Sequence, residues 1–153
     1  MTRHHRSGFT LVELMIVIVL MGILATVALP KLSQHTTALT VQSATQEVAS
    51  YLAQARATAV ATGRSIWFVR SGNTVGVSTS SSSIDYLQST DLLSEHGVHV
   101  SAPTDPTVIQ FDARGMIPGG VGAALPIVLT KSTARDSVCV LGLGRISVKD
   151  CSL

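Results

Sequence analysis

Residues Phe9 to Leu29 read FTLVELMIVIVLMGILATVAL, twenty-one residues with a single charge, at Glu13. At about 1.5 Å per residue this run makes roughly 31 Å of helix, enough to cross a hydrocarbon core of about 30 Å. Arg3 and Arg6 precede it, with His4 and His5 between them. Basic residues ahead of an apolar span keep the N-terminus cytoplasmic and send the remainder across the membrane. An ordinary signal peptide places its small-residue cleavage site after a short apolar core. Here Ser7 and Gly8 come first, so a cut at Gly8 removes a charged octapeptide and retains the apolar segment. A plain single-pass anchor explains the basic flank and the run, but not the carboxylate. Glu13 within a spanning helix costs roughly 2.5–3.5 kcal/mol on insertion scales, which marks it as functional. It lies four residues after Phe9, whose amine becomes the N-terminus once Gly8 is cut. A buried carboxylate needs a positive partner, and the freed amine of a neighbouring subunit supplies one.

Beyond Pro30, Val41, Ala44, Val48, Leu52, Ala55 and Ala59 recur at spacings of three and four, with Gln42, Gln46, Glu47, Gln54 and Arg56 between them. That is one apolar face at helical period. Gly63 is a fitting stop. Periodicity alone allows two helices or one long helix from about Phe9 to Thr62 with a kink at Pro30. The remainder reads as strands and turns. Ser65–Arg70 and Thr74–Ser78 flank Ser71-Gly72-Asn73 as a hairpin. Thr79–Ser83 is a Ser/Thr loop. Val98–Ser101 and Thr107–Asp112 alternate as strands, Ala113–Gly122 is a glycine-rich loop, and Leu125–Thr130, Ser137–Leu141 and Arg145–Lys149 complete the set. Pro126 places its strand start late or its strand at an edge.

The 153 residues suit one globular unit plus an extension. Formal net charge is +2; without Arg3 and Arg6, nine basic residues face nine acidic ones. The exported part is thus near neutral, and overall charge gives no argument for nucleic-acid binding. Cys139 and Cys151 are the only cysteines, and in an oxidising compartment they read as one disulfide. Closing a loop of that length stabilises by roughly 3 kcal/mol in the chain-entropy treatment. No HExxH, GxxxxGK[ST], GxSxG or CxxC is present, so nothing supports an enzyme. Gly120-Val-Gly122 begins like a dinucleotide fingerprint, but Leu125 occupies the third glycine position. His35, His96 and His99 read as surface histidines, since further metal ligands cannot be placed from sequence. No cofactor and no metal are expected.

Arg6-Ser7-Gly8-Phe9-Thr10-Leu11-Val12-Glu13-Leu14-Met15-Ile16-Val17 resembles the leader and helix start of type IV pilins and type II secretion pseudopilins. The resemblance implies that a prepilin peptidase cuts between Gly8 and Phe9 and methylates the Phe9 amine, and that Glu13 neutralises that amine during assembly. Pro30 matches the helix-kinking proline of those proteins; it lacks an N–H and clashes with the preceding turn. The resemblance favours one continuous kinked helix. The stretch Tyr51-Leu-Ala-Gln-Ala-Arg-Ala-Thr-Ala-Val-Ala-Thr-Gly63, then Phe111-Asp-Ala-Arg-Gly115, then the segment from Cys139 to Cys151, is similar to the GspH/FimT subgroup. The expected class is α+β: a long N-terminal helix, transmembrane then amphipathic, on antiparallel sheet. Residues 1–8 are the expected leader, 9–29 the membrane and polymerisation helix, and 30–153 the exported domain with the second half of the helix. The expected role is a minor type IV pilin that enters or primes a pilus. The alternative is a GspH-type minor pseudopilin of type II secretion. The implied partners are other pilin subunits, the prepilin peptidase and the inner membrane; after assembly the chain belongs to an extracellular filament.

A DNA partner is a narrower expectation. Some minor pilins of this subgroup resemble DNA-uptake receptors with a Gly-Arg-x-Arg element. Gly144-Arg145-Ile146-Ser147 retains the first arginine only. Period-two alternation puts Lys149 on the face of Arg145, and Lys131 and Arg135 add basic charge that Asp136 and Asp150 dilute. With half the element missing and net charge near zero, ordinary solvated charges are favoured over a grip on double-stranded DNA.

Overall fold

The computed structural model describes residues 9–82, 85–119, 121–149 and 151; the side chains of 27–30, 32–34, 121–123 and 142 lie outside that description. The leader up to Gly8, and the side chain of Pro30, therefore fall outside it. The chain divides into two compact units, Met1–Thr36 and Thr37–Leu153. A single helix, α1, runs from Leu11 to Thr62, with Pro30 inside it. The expectation of one long helix holds.

In the second unit every residue of the expected apolar face is in the core. Val41, Ala44, Val48, Leu52, Ala55 and Ala59 are all buried. The spacing of three and four turns them to one side, and α1 lays that side across the sheets. Two four-stranded sheets share this core. The first has the order β3-β2-β1-β5, built from β1 (Ile66–Ser71), β2 (Thr74–Ser78), β3 (Tyr86–Asp91) and β5 (Thr107–Phe111). The second has the order β4-β6-β7-β8, built from β4 (His99–Ser101), β6 (Val121–Lys131), β7 (Ala134–Gly142) and β8 (Arg145–Val148). All recorded pairings are antiparallel. Phe68 of β1 and Phe111 of β5 are the largest fully buried side chains.

The expected β1–β2 hairpin forms, and its tip is tied to three other segments. Buried Arg70 donates to the carbonyls of Gly72 at 2.9 Å and Thr104 at 2.5 Å, and lies 3.6 Å from Asp105. The Asp105 carboxylate accepts from the Gly72 N–H, and Asn73 accepts from Val100 and Leu92 backbone N–H groups. An ionised side chain is tolerated under this much protein because its two terminal nitrogens meet carbonyl oxygens and a carboxylate, although Nε is buried without a partner among the described residues.

Three features add to or differ from the sequence expectation. Between 79 and 107 the fold contains β3 and a short helix α2 (Leu92–His96), neither of which the sequence reading placed. Asp91 caps α2 by accepting from Leu93 and Ser94, and Gly97 ends it at φ 63°, in the left-handed region. Second, β6 begins at Val121, inside the segment expected to be loop. Pro126 sits within β6, opposite Cys139. Its lack of an N–H is tolerated because β4 pairs only with Val128 to Thr130, leaving the other side of β6 without a strand partner at Pro126. Third, Lys149 falls just past β8 at φ 73°, so strand alternation does not carry the face of Arg145 to it.

Gly76 of β2 is held by close approach. A Cβ there would lie 2.4 Å from the Gln88 carbonyl oxygen, 2.7 Å from Tyr86 Cδ1 and 2.8 Å from Ser89 Cβ. Gly76→Ala forces β2 and β3 apart and is expected to cost about 3 kcal/mol, the upper part of the overpacking range. A denaturant midpoint within error of the parent's would contradict this reading.

Candidate functional site

The first unit carries its candidate site at the start of α1. Thr10 precedes the helix, and its hydroxyl accepts from the Glu13 N–H at 3.2 Å, while its carbonyl accepts from Leu14. Thr10 is thus the N-cap and Glu13 the third helical residue, the Thr-x-x-Glu spacing of a capping box. A carboxylate in the first turn also meets the positive end of the helix dipole. Sequence reading saw Glu13 as an isolated charge in an apolar run; the Thr10-Leu11-Val12-Glu13 pattern was there to be read. Glu13 therefore both suits a helix start and remains available to a cation.

The surrounding apolar side chains are exposed. Phe9 is 86% exposed, Leu24 is 70% exposed, and Leu11, Val12, Leu14 to Met21 and Ile23 are all exposed as well. These positions circle the helix rather than following one stripe. A helix apolar all round needs lipid or other helices about it. Among the described residues no helix is long and apolar enough to cross a membrane; the described side chains of this run stop at Thr26, and Val27 to Leu29 complete it only in the sequence.

The C-terminal hairpin is the second candidate. β7 and β8 pair from Leu141↔Arg145 to Val138↔Val148, and Cys139 and Cys151 are joined as the expected disulfide, with Cα atoms 5.4 Å apart. The Lys149 N–H returns to the Ser137 carbonyl at 2.9 Å. The four basic residues named from sequence are dispersed. Arg135 and Lys149 line a shallow cleft with Asp136 against Ala38 and Val41 of α1, at the Ala134 end of β7. Arg145 is exposed at the opposite end, four residues along the chain from Lys149 and so roughly 13 Å away at strand rise. Lys131 donates to the His96 carbonyl at 2.5 Å and serves the fold. The structure brings two of the four together, and an aspartate with them.

The motif from Phe111 to Gly115 forms a turn packed against α1 and the hairpin. Asp112 accepts from the backbone N–H groups of Arg114 and Met116, both at 2.9 Å, and pairs with the Arg114 guanidinium at 3.0 Å. A Cβ on Gly115, which has φ 71°, would lie 2.9 Å from Val60 Cγ2. Arg56 of α1 reaches the Gly144 carbonyl at 3.4 Å. This motif therefore locks helix, loop and hairpin together rather than presenting chemistry. The Met116 N–H, then the Arg114 contacts, hold the Asp112 carboxyl below its ordinary value of 3.8. A depressed carboxyl contributes stability above its unfolded value and loses it as pH falls through the folded one. Asp112→Asn is therefore expected to flatten the loss of stability below about pH 4, read from thermal midpoints across pH. An unchanged acid limb would exclude the role.

A long helix with an exposed apolar first half and a second half buried on antiparallel sheet defines a pilin-like subunit. The prokaryotic N-terminal methylation motif matches residues 3–29, and the family described as "Type II transport protein GspH" matches residues 44–144. The chain belongs to this GspH family, whose members are structural pilin and pseudopilin subunits rather than enzymes. Its fold is similar to that of the type IV minor pilin FimU of Pseudomonas aeruginosa. In one crystal form the TM-score is 0.58 at 19% identity, covering 74% of this chain and 90% of FimU. In a second form it is 0.55 at 20% identity, covering 73% and 94%. No protein of curated function matches the chain by sequence.

Proposed function

We propose that the chain is a minor type IV pilin that enters or primes a pilus through the first half of α1. The observation that carries this reading is the full circumference of exposed apolar side chains from Phe9 to Leu24 around Glu13. Before assembly the segment rests in the inner membrane with the second unit in the periplasm; in the filament the same side chains bury against neighbouring helices. Cleavage after Gly8 frees the Phe9 amine that pairs with Glu13 of a neighbouring subunit, and Pro30 shapes the helix where it leaves the apolar run. The methylation motif supports this processing, and the FimU-like fold supports a pilin-type subunit. The GspH family keeps a type II secretion pseudopilin as the alternative. Mass analysis of the N-terminal peptide tests the processing step: a methylated Phe9 terminus supports it, and an intact Met1 or a cut beyond Leu29 overturns it. Identification of the filament with which the chain is sheared from cells separates the two machines.

DNA capture is a narrower form of the pilus reading. Arg145 supports it, exposed beside Gly144 with no ion pair among the described residues. Duplex DNA binding that weakens steeply with salt and is lost in Arg145→Ala would establish it. No binding at low salt leaves an architectural subunit.

A further inference from the structure

The end of α2 meets α1 at a cluster of ligand-bearing side chains. The His96 Nε2 lies 2.8 Å from Glu47 Oε2, and ligand atoms of Glu47, Glu95 and His96 all lie within 4.8 Å of one another. Glu47 comes from the middle of α1, forty-nine residues before His96. The Glu47 and His96 side chains are about three-quarters buried, while Glu95 is exposed. His99, one strand further on, does not join them.

We propose that Glu47, Glu95 and His96 form a site for one divalent transition-metal ion of the zinc type. The donor set decides the class of ion. One imidazole nitrogen with two carboxylates suits zinc, whereas calcium and magnesium prefer oxygen throughout. Tetrahedral bonds of about 2.0–2.1 Å place neighbouring donors roughly 3.3 Å apart. The His96–Glu47 pair at 2.8 Å, a proton-bridged distance, opens by about half an ångström to admit the ion. The remaining donor is a carboxylate on an exposed side chain that can swing in, and the open side admits water as fourth ligand. The ion takes the place of any proton shared by His96 and Glu47, and that proton leaves to solvent.

The charge environment suits this exchange. Two carboxylates and a neutral imidazole sum to −2, which one divalent cation balances. The ammonium of Lys131 is near, but it is engaged by the His96 carbonyl, a contact that also fixes the end of α2. Metal bound here ties α2 to α1 across the edge of the core. Protons compete with the ion for all three ligands, so binding weakens in acid.

The test is zinc titration of the full-length, untagged chain in detergent, followed by calorimetry at pH 7.5 and pH 5. The chain also contains His4, His5 and His35, so the readout is the difference between parent and variants. The parent is expected to bind one more zinc ion than His96→Gln, and to lose that ion at pH 5. Glu95→Gln, at an exposed position that leaves the fold intact, is expected to weaken the same site at least tenfold. Equal zinc stoichiometry in parent and His96→Gln would overturn the proposal. So would unchanged affinity in Glu95→Gln.

Discussion

Glu13→Ala is expected to leave the chain inserted in the membrane and to reduce its recovery in sheared filaments to background. The argument rests on where the carboxylate stands. Removing it makes the apolar run more favourable to insert, by roughly 2.5–3.5 kcal/mol on insertion scales, so loss of anchoring cannot explain a failure to assemble. On the proposed assembly, what is lost is the partner for a neighbour's Phe9 amine. An unpaired buried charge costs several kcal/mol, a factor of a hundred or more in incorporation. The capping arrangement at Thr10 gives a second substitution that divides the two roles of this residue. Gln occupies the third position of a capping box as well as Glu does. Glu13→Gln therefore retains the helix start and removes only the charge. Failure of Glu13→Gln to assemble assigns the effect to charge; normal assembly of Glu13→Gln alongside failure of Glu13→Ala assigns it to the helix start.

Phe111→Ala is expected to cost about 4 kcal/mol, within the range for truncating a Phe buried in the core. Phe111 is fully buried, opposite Ile66 at the end of β5, and its ring lies 3.3 Å from where a Cβ on Gly144 would stand. Its removal thus leaves a cavity at the point where β5, the Asp112 turn and the C-terminal hairpin converge. That turn is held by its own hydrogen bonds and cannot collapse freely into the space. Against a typical total of 5–15 kcal/mol, such a loss leaves the domain marginal at growth temperature. Denaturant unfolding reads it directly, and a change below about 1 kcal/mol would mean the site relaxes far more than its packing implies.

The parts of the fold that were legible in sequence were those with a strong period. The face from Val41 to Ala59 was readable because apolar residues at three and four leave no other element that buries all six. β3 was not, because Tyr86 to Asp91 is a largely exposed edge strand with no apolar alternation. α2 has five residues, fewer than a helical period can reveal, although Asp91 and Gly97 carried its start and stop in plain view. At the candidate sites the disulfide was legible because its signal is local, two cysteines with a sequence separation of 12. The fate of the basic residues was not. Whether Lys149 stands with Arg145 or with Arg135 depends on where β8 ends, and a left-handed residue at that point decided it. The Glu47–His96 pair was equally out of reach, since only the packing of α2 on α1 brings those positions together.

In the proposed filament, other pilin helices surround the first half of α1. A photoreactive side chain placed at Val17, midway along the exposed apolar run, reports this directly in sheared filaments. Covalent products with the N-terminal helix of another pilin subunit are the expected result. A chain absent from the filaments, and crosslinked only to lipid in every fraction, would contradict the assembly role.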